Sequence, residues 1–291
     1  MTEPKMKMIG GFMYRIRKVL NHNAVIVIDD EGKNEYLMIG KGAGFGKKPA
    51  ERIEPSGECQ LYSMTPTTER GDARDIIKSV EPECLEIAGA IMDEAEKVFG
   101  RIDRKIIFPL ADHLAFAIRR AQSGELMKNP LNPDIRTMFY SEYKVATCAY
   151  PQILSKFGVK ITEDEVGLIA LHVHASIVDE KVSDALQTAR IVRECISLIE
   201  EQTGEKLEVT SLGYNRMMNH IRYMVMRIHS GEKLSVNLND YMKSHYPQAY
   251  SIAETVCNDL KGKVEGVFQT AEIGYMAMHI QRVIGDEETD E

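Results

Sequence analysis

The chain has 291 residues, of which 44% are hydrophobic and 27% charged, and its formal net charge at pH 7 is −8. The length predicts about two domains, and the composition is that of an ordinary globular protein. No apolar stretch approaches the ~18 residues of a membrane span, and the start lacks the apolar core of a signal peptide, so we expect no membrane insertion.

The cysteines and the charge distribution narrow the class of protein further. Five scattered cysteines without a Cys-x-x-Cys pair argue against a disulfide framework or a zinc ribbon and favour a cytoplasmic location. Residues 1–70 contain 11 Lys and Arg against 9 Asp and Glu, whereas the rest contains 25 against 35, so that +2 and −10 make up the −8. The N-terminal part of the chain, called the head below, is slightly basic and the remainder is acidic. This indicates that only the head contacts a polyanion.

The first part of the chain is predicted to be a small sheet. After a leader at 1–11 that we expect to be disordered, strands are predicted at 14–20, 24–28 and 35–39, with a candidate fourth at 59–64. Asn21, His22 and Asn23 form a turn between the first two strands. Because so small a sheet is only marginally stable alone, we predict that two copies pair and that the protein is a homodimer.

The remainder has helical periodicity. Residues 75–99 carry apolar side chains three to four positions apart, and Pro82 splits this segment or begins its second helix. Further helices are predicted at 108–122, 140–157, 163–177, 183–201, 215–228, 246–260 and 270–283, with Thr162 and Glu165 as a capping box. The predicted fold class is multidomain: a small, dimeric all-β domain (1–66), a linker (67–74) and two all-α helical-bundle domains (75–180 and 181–291).

A repeat relates the two helical domains. The sequence pattern of residues 105–177 recurs at residues 212–284, with an offset of 107 residues and no gap. At this offset His113 aligns with His220, His172 with His279, and Glu165 with Glu272. The period exceeds the ~20–50 residues of solenoid repeats, so we interpret the copies as tandem domains. The alignment singles out the four histidines.

The glycine-rich loop at 40–48 (GKGAGFGKK) allows three interpretations. A nucleotide-binding phosphate loop needs Ser or Thr after its lysine and then a helix, but Lys48 and Pro49 follow Lys47, which argues against it. A purely structural turn stays an alternative. The third interpretation is nucleic acid, because lysines neutralise phosphates and Phe45 can stack on an unpaired base.

Two asparagines and further lysines extend the nucleic-acid interpretation. Asn21 and Asn23 offer paired donors and acceptors to a base edge. Lys41, Lys47 and Lys48 supply positive charge, and the glycines allow the backbone to approach a ligand closely. A small β scaffold with a stacking aromatic residue suits the loops and bulges of RNA better than a duplex groove.

The histidines also allow several interpretations. A single histidine on an apolar helix face is usually a core residue, and a metal site fits poorly because His172 and His174, two residues apart, do not share a helix face. Catalysis lacks a nucleophile or a carboxylate pair at a telling spacing, so we predict no enzyme, metal or cofactor. Phosphoacceptance needs only a neutral imidazole and an activated donor, and it adds close to two negative charges. Arg119, Arg120 and Arg227 are candidate cations to receive that charge.

Two segments carry a family resemblance. Residues 17–23 (RKVLNHN) and 39–48 (IGKGAGFGKK) resemble the RNA-binding domain of the BglG/LicT family of transcriptional antiterminators. The helical repeats look like that family's paired phosphotransferase-regulated domains, and the three-part order covers nearly the whole chain. Residues 111–118 (ADHLAFAI) and 170–174 (ALHVH) look most like the glucose-type members.

The resemblance implies a function for the head. The dimeric head would bind an RNA hairpin in the leader of a sugar-utilisation or sugar-transport transcript and prevent formation of a terminator. RNA contacts carry over to Asn23, Gly40, Lys41, Gly42, Phe45 and Lys47, and the residues themselves add Asn21. The family often has arginine where Lys41 stands, and lysine offers a point charge rather than a planar fork.

The resemblance also implies how the repeats act. A sugar-specific phosphotransferase enzyme II and the phosphocarrier protein would phosphorylate the histidines. In glucose-type members, phosphorylation of the first repeat is inhibitory, which carries over to His113 and His172, while His220 and His279 would have a modulating role. The alternative is a duplex-DNA-binding activator with the same phosphorylation-regulated repeats.

Overall fold

The computed structural model describes residues 13–56, 59–64, 73–178 and 181–285. The predicted leader and residues 67–72 of the predicted linker lie outside the described residues, and Ala73 already belongs to a helix. The structure divides into two compact units, and the chain passes from one to the other after Met127, at Lys144 and again at Lys181. The first unit contains the sheet and most of the first helical repeat. The second contains residues 128–143 and the second repeat.

The head is one antiparallel sheet. Its strands are β1 (Tyr14–Val19), β2 (Ala24–Asp29), β3 (Glu35–Ile39), β4 (Arg52–Ile53) and β5 (Gln60–Ser63), in the order β4-β1-β2-β3-β5. The predicted strands are therefore present, and the candidate fourth is β5. The two-residue β4 was not predicted, because a strand that short shows no alternation of apolar and polar residues.

Both faces of the sheet are covered within the first unit. One face is a cluster of buried residues from four strands: Tyr14, Ile16, Val25, Val27, Met38 and Ile53. On the other face Tyr62 is buried, and its hydroxyl oxygen accepts a hydrogen bond from Arg104 Nη1 at 3.2 Å. A Cβ atom on Gly89 would lie 3.2 Å from the same hydroxyl, so a glycine there lets the helix approach the sheet. The sheet is thus packed on the helical part of its unit.

Twelve helices follow the sheet among the described residues. They are α1 (Ala73–Ser79), α2 (Pro82–Phe99), α3 (Ile107–Ser123), α4 (Asn132–Met138), α5 (Tyr140–Ala146), α6 (Ala149–Phe157), α7 (Glu163–Val178), α8 (Val182–Thr203), α9 (Leu212–Ser230), α10 (Asn239–His245), α11 (Pro247–Lys261) and α12 (Ala271–Gly285). Pro82 begins α2 at its first position, as proline's missing N–H allows. The hydroxyl oxygen of Thr162 accepts from the Glu165 amide at 3.3 Å, which is one half of the capping box predicted for α7. The Glu165 carboxylate pairs with Arg120 instead.

Four helices differ from the predictions. The segment 140–157 is two helices, α5 and α6, rather than one. The seven-residue helices α4 and α10 were missed, because two turns carry too few apolar positions to show a period. Their bounds are nevertheless 107 residues apart, so the structure repeats with the same offset as the sequence. In the second unit α4 is anchored by the buried carboxylate of Asp134, which accepts a hydrogen bond from the Tyr214 hydroxyl.

Candidate RNA-binding surface and histidine clusters

The glycine-rich loop is fastened to the turn between β1 and β2. The amide of Gly40 donates to the Asn23 carbonyl oxygen and that of Gly44 to the His22 carbonyl oxygen, both at 2.9 Å. A Cβ atom on Gly44 would lie 2.1 Å from the Asn21 carbonyl oxygen, and one on Gly40 would lie 2.5 Å from the Cys59 sulfur. These two glycines are therefore required by close packing.

Gly42 is required for another reason. Its φ is +74°, a backbone conformation that disfavours side chains, and the space around its Cα is open. Lys41 and Lys47, near Gly42 in sequence, are exposed. The loop thus presents flexible cations at its outer edge while its base is fixed.

Phe45 projects from this loop into solvent. Its side chain is 69% exposed, which is unusual for a large apolar ring and leaves a face open for stacking. The His22 ring lies edge-on to it, with centroids 5.4 Å apart. His22 was counted only as a turn residue in the sequence. Its position between Asn21 and Asn23, which were both predicted to contact RNA, could have identified it as part of the same surface.

The two asparagines are engaged within the chain rather than open to solvent. The Asn21 side-chain oxygen accepts from the amides of Asn23 and Ala24, both at 2.9 Å. The Asn23 side-chain oxygen accepts from the Gly42 amide at 2.9 Å. Their oxygens therefore hold the turn and the glycine-rich loop together, and the amide group of each asparagine is the part of the side chain that could donate to a ligand.

Those amide groups point at carboxylates of α2. Asn21 Nδ2 donates to Glu86 Oε1 at 2.6 Å and to Glu83 Oε1 at 3.3 Å, and Asn23 Nδ2 donates to Glu86 Oε2 at 3.2 Å. Lys156 Nζ donates to the same Glu86 oxygen at 2.7 Å. Burial raises the pKa of Glu86, but hydrogen bonds from Lys156, Asn21 and Asn23 outweigh this effect and bring the pKa below its usual value. Glu86 is therefore an anion held against the predicted RNA-reading residues.

In the first repeat the two histidines meet across α3 and α7. The rings of His113 and His172 are stacked, with centroids 5.2 Å apart and 26° between their planes. They are 5% and 4% exposed. His172 Nδ1 lies 2.8 Å from the Leu168 carbonyl oxygen, which can only accept, so in the neutral ring Nδ1 carries the proton and Nε2 the lone pair.

In the second repeat the same arrangement recurs with more access. The rings of His220 on α9 and His279 on α12 are stacked, with centroids 4.5 Å apart. Both side chains are half-buried. Nε2 of His220 is buried and has no hydrogen-bond partner among the described residues.

Burial sets the protonation state of the second pair. It lowers the pKa of His220 to about 3, with smaller contributions from His279 and Arg227. Burial also lowers the pKa of His279, assisted by Arg282 and Arg216. Both rings are therefore neutral near pH 7, which is the nucleophilic form of imidazole.

Each histidine pair is accompanied by a buried Arg–Glu pair. Arg120 donates to both oxygens of Glu165, from Nε at 2.8 Å and from Nη2 at 3.0 Å. At the 107-residue offset, Arg227 donates to both oxygens of Glu272, at 2.7 and 2.8 Å. Both carboxylates are buried, and bidentate pairs of this kind are strong.

The Arg–Glu pairs correct the expectation that Arg120 and Arg227 receive phosphoryl charge. They also add Glu165 and Glu272, which were not predicted as site residues. Arg120 and Arg227 were candidate receivers of phosphoryl charge, but both are committed to glutamates. In the first repeat Glu165 also lies 3.4 Å from His113 Nε2. The signal was in the sequence: Arg lies seven residues after His on α3 and α9, and Glu lies seven residues before His on α7 and α12. Seven residues are two helical turns, which puts each set on one face.

Metal-ion sites and membrane-spanning helices are both absent from the described residues. Among the described residues no group of three or more His, Cys, Asp or Glu side chains is placed to hold a metal ion. No helix in the described ranges is both long and apolar enough to cross a membrane.

Known proteins resemble this chain over most of its length. The CAT RNA binding domain matches residues 14–70, and the PRD domain matches residues 89–176 and 193–283. The PtsGHI operon antiterminator of Bacillus subtilis is 29% identical over 273 residues, covering 93% of this chain and 97% of its own. The GlcA/glcB genes antiterminator of Staphylococcus carnosus is 26% identical over 273 residues, covering 92% and 94%. Transcription antiterminator LicT of Bacillus subtilis is 25% identical over 274 residues, covering 93% and 99%.

These matches confirm the resemblance, and a match to an RNA-binding domain does not favour the duplex-DNA alternative. The described architecture has the same order, a small antiparallel sheet followed by helices that repeat. The chain therefore belongs to the family of transcriptional antiterminators that join a CAT RNA-binding domain to two PRD domains.

Proposed function

We propose that this protein binds an RNA hairpin in the leader of a sugar-utilisation or sugar-transport transcript, prevents terminator formation, and is of the glucose type. The observation that carries the proposal is the exposed Phe45 on a loop with exposed lysines. The loop is held in place by the close contacts of Gly40 and Gly44. A fixed loop with a stacking ring and mobile cations suits unpaired bases in a folded RNA. The protein acts as a regulator in the cytoplasm and not as an enzyme.

A binding comparison tests the class of nucleic acid. We expect the full chain to bind a leader-type RNA hairpin at least about a hundredfold more tightly than a duplex DNA of the same sequence, at one salt concentration, because a loop with an exposed stacking ring suits unpaired bases better than a duplex groove. Gel shifts with both ligands measure the ratio. A scrambled single-stranded RNA controls for nonspecific charge. Equal affinity for the duplex would replace the proposal with the DNA-binding alternative.

Contacts of α2 with Asn21 and Asn23 cover the amide groups of these asparagines, and we call this arrangement the closed state of the head. RNA that reads the amide groups of Asn21 and Asn23 must displace the carboxylates of Glu83 and Glu86. A carboxylate offers the same kind of acceptor as a phosphate oxygen or a base carbonyl. The closed state therefore competes with RNA for the same donors, and its stability sets the apparent affinity.

Substitution of Glu86 tests this competition. We expect Glu86→Gln to raise hairpin affinity about fivefold, because a neutral acceptor weakens the contact by about 1 kcal/mol relative to a charged one. Titration of labelled hairpin measures the change. Glu94→Gln on the same helix is the matched control, since it removes the same charge from a residue that pairs with Lys97. An equal gain in both variants, or no gain in either, would contradict the competition.

The repeats regulate this head through phosphorylation of His113, His172, His220 and His279. The donors are a sugar-specific phosphotransferase enzyme II and the phosphocarrier protein. His113 and His172 are almost fully buried in the described state, so their phosphorylation requires α3 and α7 to separate locally. A phosphoryl group there meets the carboxylate of Glu165, and its charge opposes reclosure of the bundle. Phosphorylation of the first repeat is inhibitory for this reason.

The active form is a homodimer of heads. The single sheet presents the short strands β4 and β5 at its edges, and two copies together form the RNA-binding surface. To act as a switch, phosphorylation must change the balance between assembled and separated heads by a few kcal/mol. About 5.5 kcal/mol takes a population from 1:99 to 99:1.

A further inference from the structure

The second unit contains a pocket beside the more accessible histidine pair. Its volume is about 190 Å³, and His279 lies in its wall with Arg216, Arg282, Lys206 and Glu205. A single buried water needs only roughly 10–15 Å³ of such space, so the pocket has room for a larger polar group. Lys206 pairs with Glu200 at 3.2 Å, and the two arginines outnumber the one carboxylate of the wall, Glu205, so the wall favours an anion.

The two arginines are placed by helix geometry next to the stacked rings. Arg282 follows His279 by three residues on α12, and Arg216 precedes His220 by four residues on α9. Positions three and four apart share a helix face. Within the described part of the chain neither guanidinium has a carboxylate partner, in contrast to Arg227, which is bound to Glu272. No ion pair among the described residues therefore has to break before either arginine binds an anion.

The start of α9 adds to the positive character of the pocket. Ser211, which caps this 19-residue helix, and Gly213 both line the wall. The N-terminus of a helix carries unpaired N–H groups and a partial positive charge.

The first repeat has no counterpart of this site. At the 107-residue offset Arg216 aligns with Pro109 and Arg282 with Ala175. His113 and His172 are also buried, whereas the second pair is half-buried. The two repeats have therefore kept the histidines but not the same surroundings.

We propose that Arg216 and Arg282 bind the phosphoryl group carried by His279, so that the second repeat accepts a phosphohistidine in an existing pocket. This inference rests on the proposed function, which makes the histidines phosphoacceptors. Arginine is suited to the role because its planar group binds phosphate oxygens in pairs. The second repeat stays closed when phosphorylated, whereas the first must open. The same charge thus has different structural consequences in the two repeats.

A small donor with a nitrogen–phosphorus bond, such as phosphoramidate, can supply the phosphoryl group to His279. The lone pair of the neutral His279 ring forms a bond to phosphorus, and the donor's N–P bond breaks. The leaving nitrogen keeps that electron pair and takes up the proton that the imidazole ring gives up, so that ammonia is released. The two arginines hold the phosphoryl oxygens during the transfer and afterwards.

Chemical phosphorylation of the full chain tests the site. We expect phosphoramidate to label His279 about tenfold faster than His113 or His172, as located by peptide mass spectrometry at alkaline pH. Arg216→Gln with Arg282→Gln is expected to slow labelling of His279 about tenfold, and lysine at both positions is expected to restore only part of it, because lysine keeps the charge but not the paired hydrogen bonds. Arg190→Gln, an exposed arginine of α8 outside the pocket wall, is the charge control. Unchanged labelling in the double glutamine variant would overturn the proposal.

A second measurement needs only the wild-type chain, in case the double variant does not fold. The phosphorus resonance of phosphorylated His279 is expected to titrate at lower pH in the folded chain than after denaturation, because guanidinium groups favour the dianion. Identical titrations would also overturn the site. Hairpin binding by the same preparations separates this proposal from the proposed function. Intact labelling with no hairpin binding supports the arginine site while counting against the RNA-binding assignment.

Discussion

Phe45→Ala is expected to weaken binding of the RNA hairpin by about fivefold to 150-fold. The exposed ring stacks on an unpaired base, and removal of one such stack costs about 1–3 kcal/mol. Phe45 is 69% exposed and its ring lies edge-on to that of His22, so the variant should fold normally. A hairpin titration at several salt concentrations measures the effect. The slope of log affinity against log salt should not change, because no charge is lost.

Two controls make this result specific to the loop. Phe116→Ala removes another exposed phenylalanine, 45% exposed on α3, and should leave hairpin affinity unchanged. Lys41→Ala should reduce the salt slope by about one while lowering affinity more modestly. If Phe45→Ala bound the hairpin as tightly as the wild type, the loop would not be the RNA-binding surface.

The double variant His113→Asp with His172→Asp is expected to abolish most antitermination. It places two carboxylates in a buried site that already holds Glu165, with Arg120 as its bidentate partner. An unpaired charge in such a site costs several kcal/mol, so the bundle opens as it would on phosphorylation. A transcriptional reporter downstream of the leader terminator should fall at least about tenfold.

Asparagine at the same two positions separates charge from shape. The variant His113→Asn with His172→Asn removes both rings without adding charge, and we expect it to keep most of the reporter signal. An equal loss in both variants would indicate a packing defect. Full activity of the aspartate variant would refute inhibition through the first repeat.

The sequence by itself determined the order of domains and most of the elements. Strands β1 to β3 follow from β-branched runs bounded by turn residues, and α2, α7 and α9 follow from apolar periodicity and caps. These signals are local, so they are readable within a few residues of the chain. The 107-residue repeat identified the four histidines, because a comparison within one chain needs no structure. The exposed loop with Phe45 followed from the residue types alone.

Only the tertiary structure decided what these residues touch. The contacts of Asn21 and Asn23 with Glu86 join residues more than 60 positions apart, and each Arg–Glu pair spans 45. No local pattern encodes such distances, since they depend on how packed elements meet. The same holds for burial: equivalent histidines are sealed in the first repeat and border a cationic pocket in the second. The repeat aligned the histidines one to one, and packing against different neighbours gave the two pairs unequal surroundings.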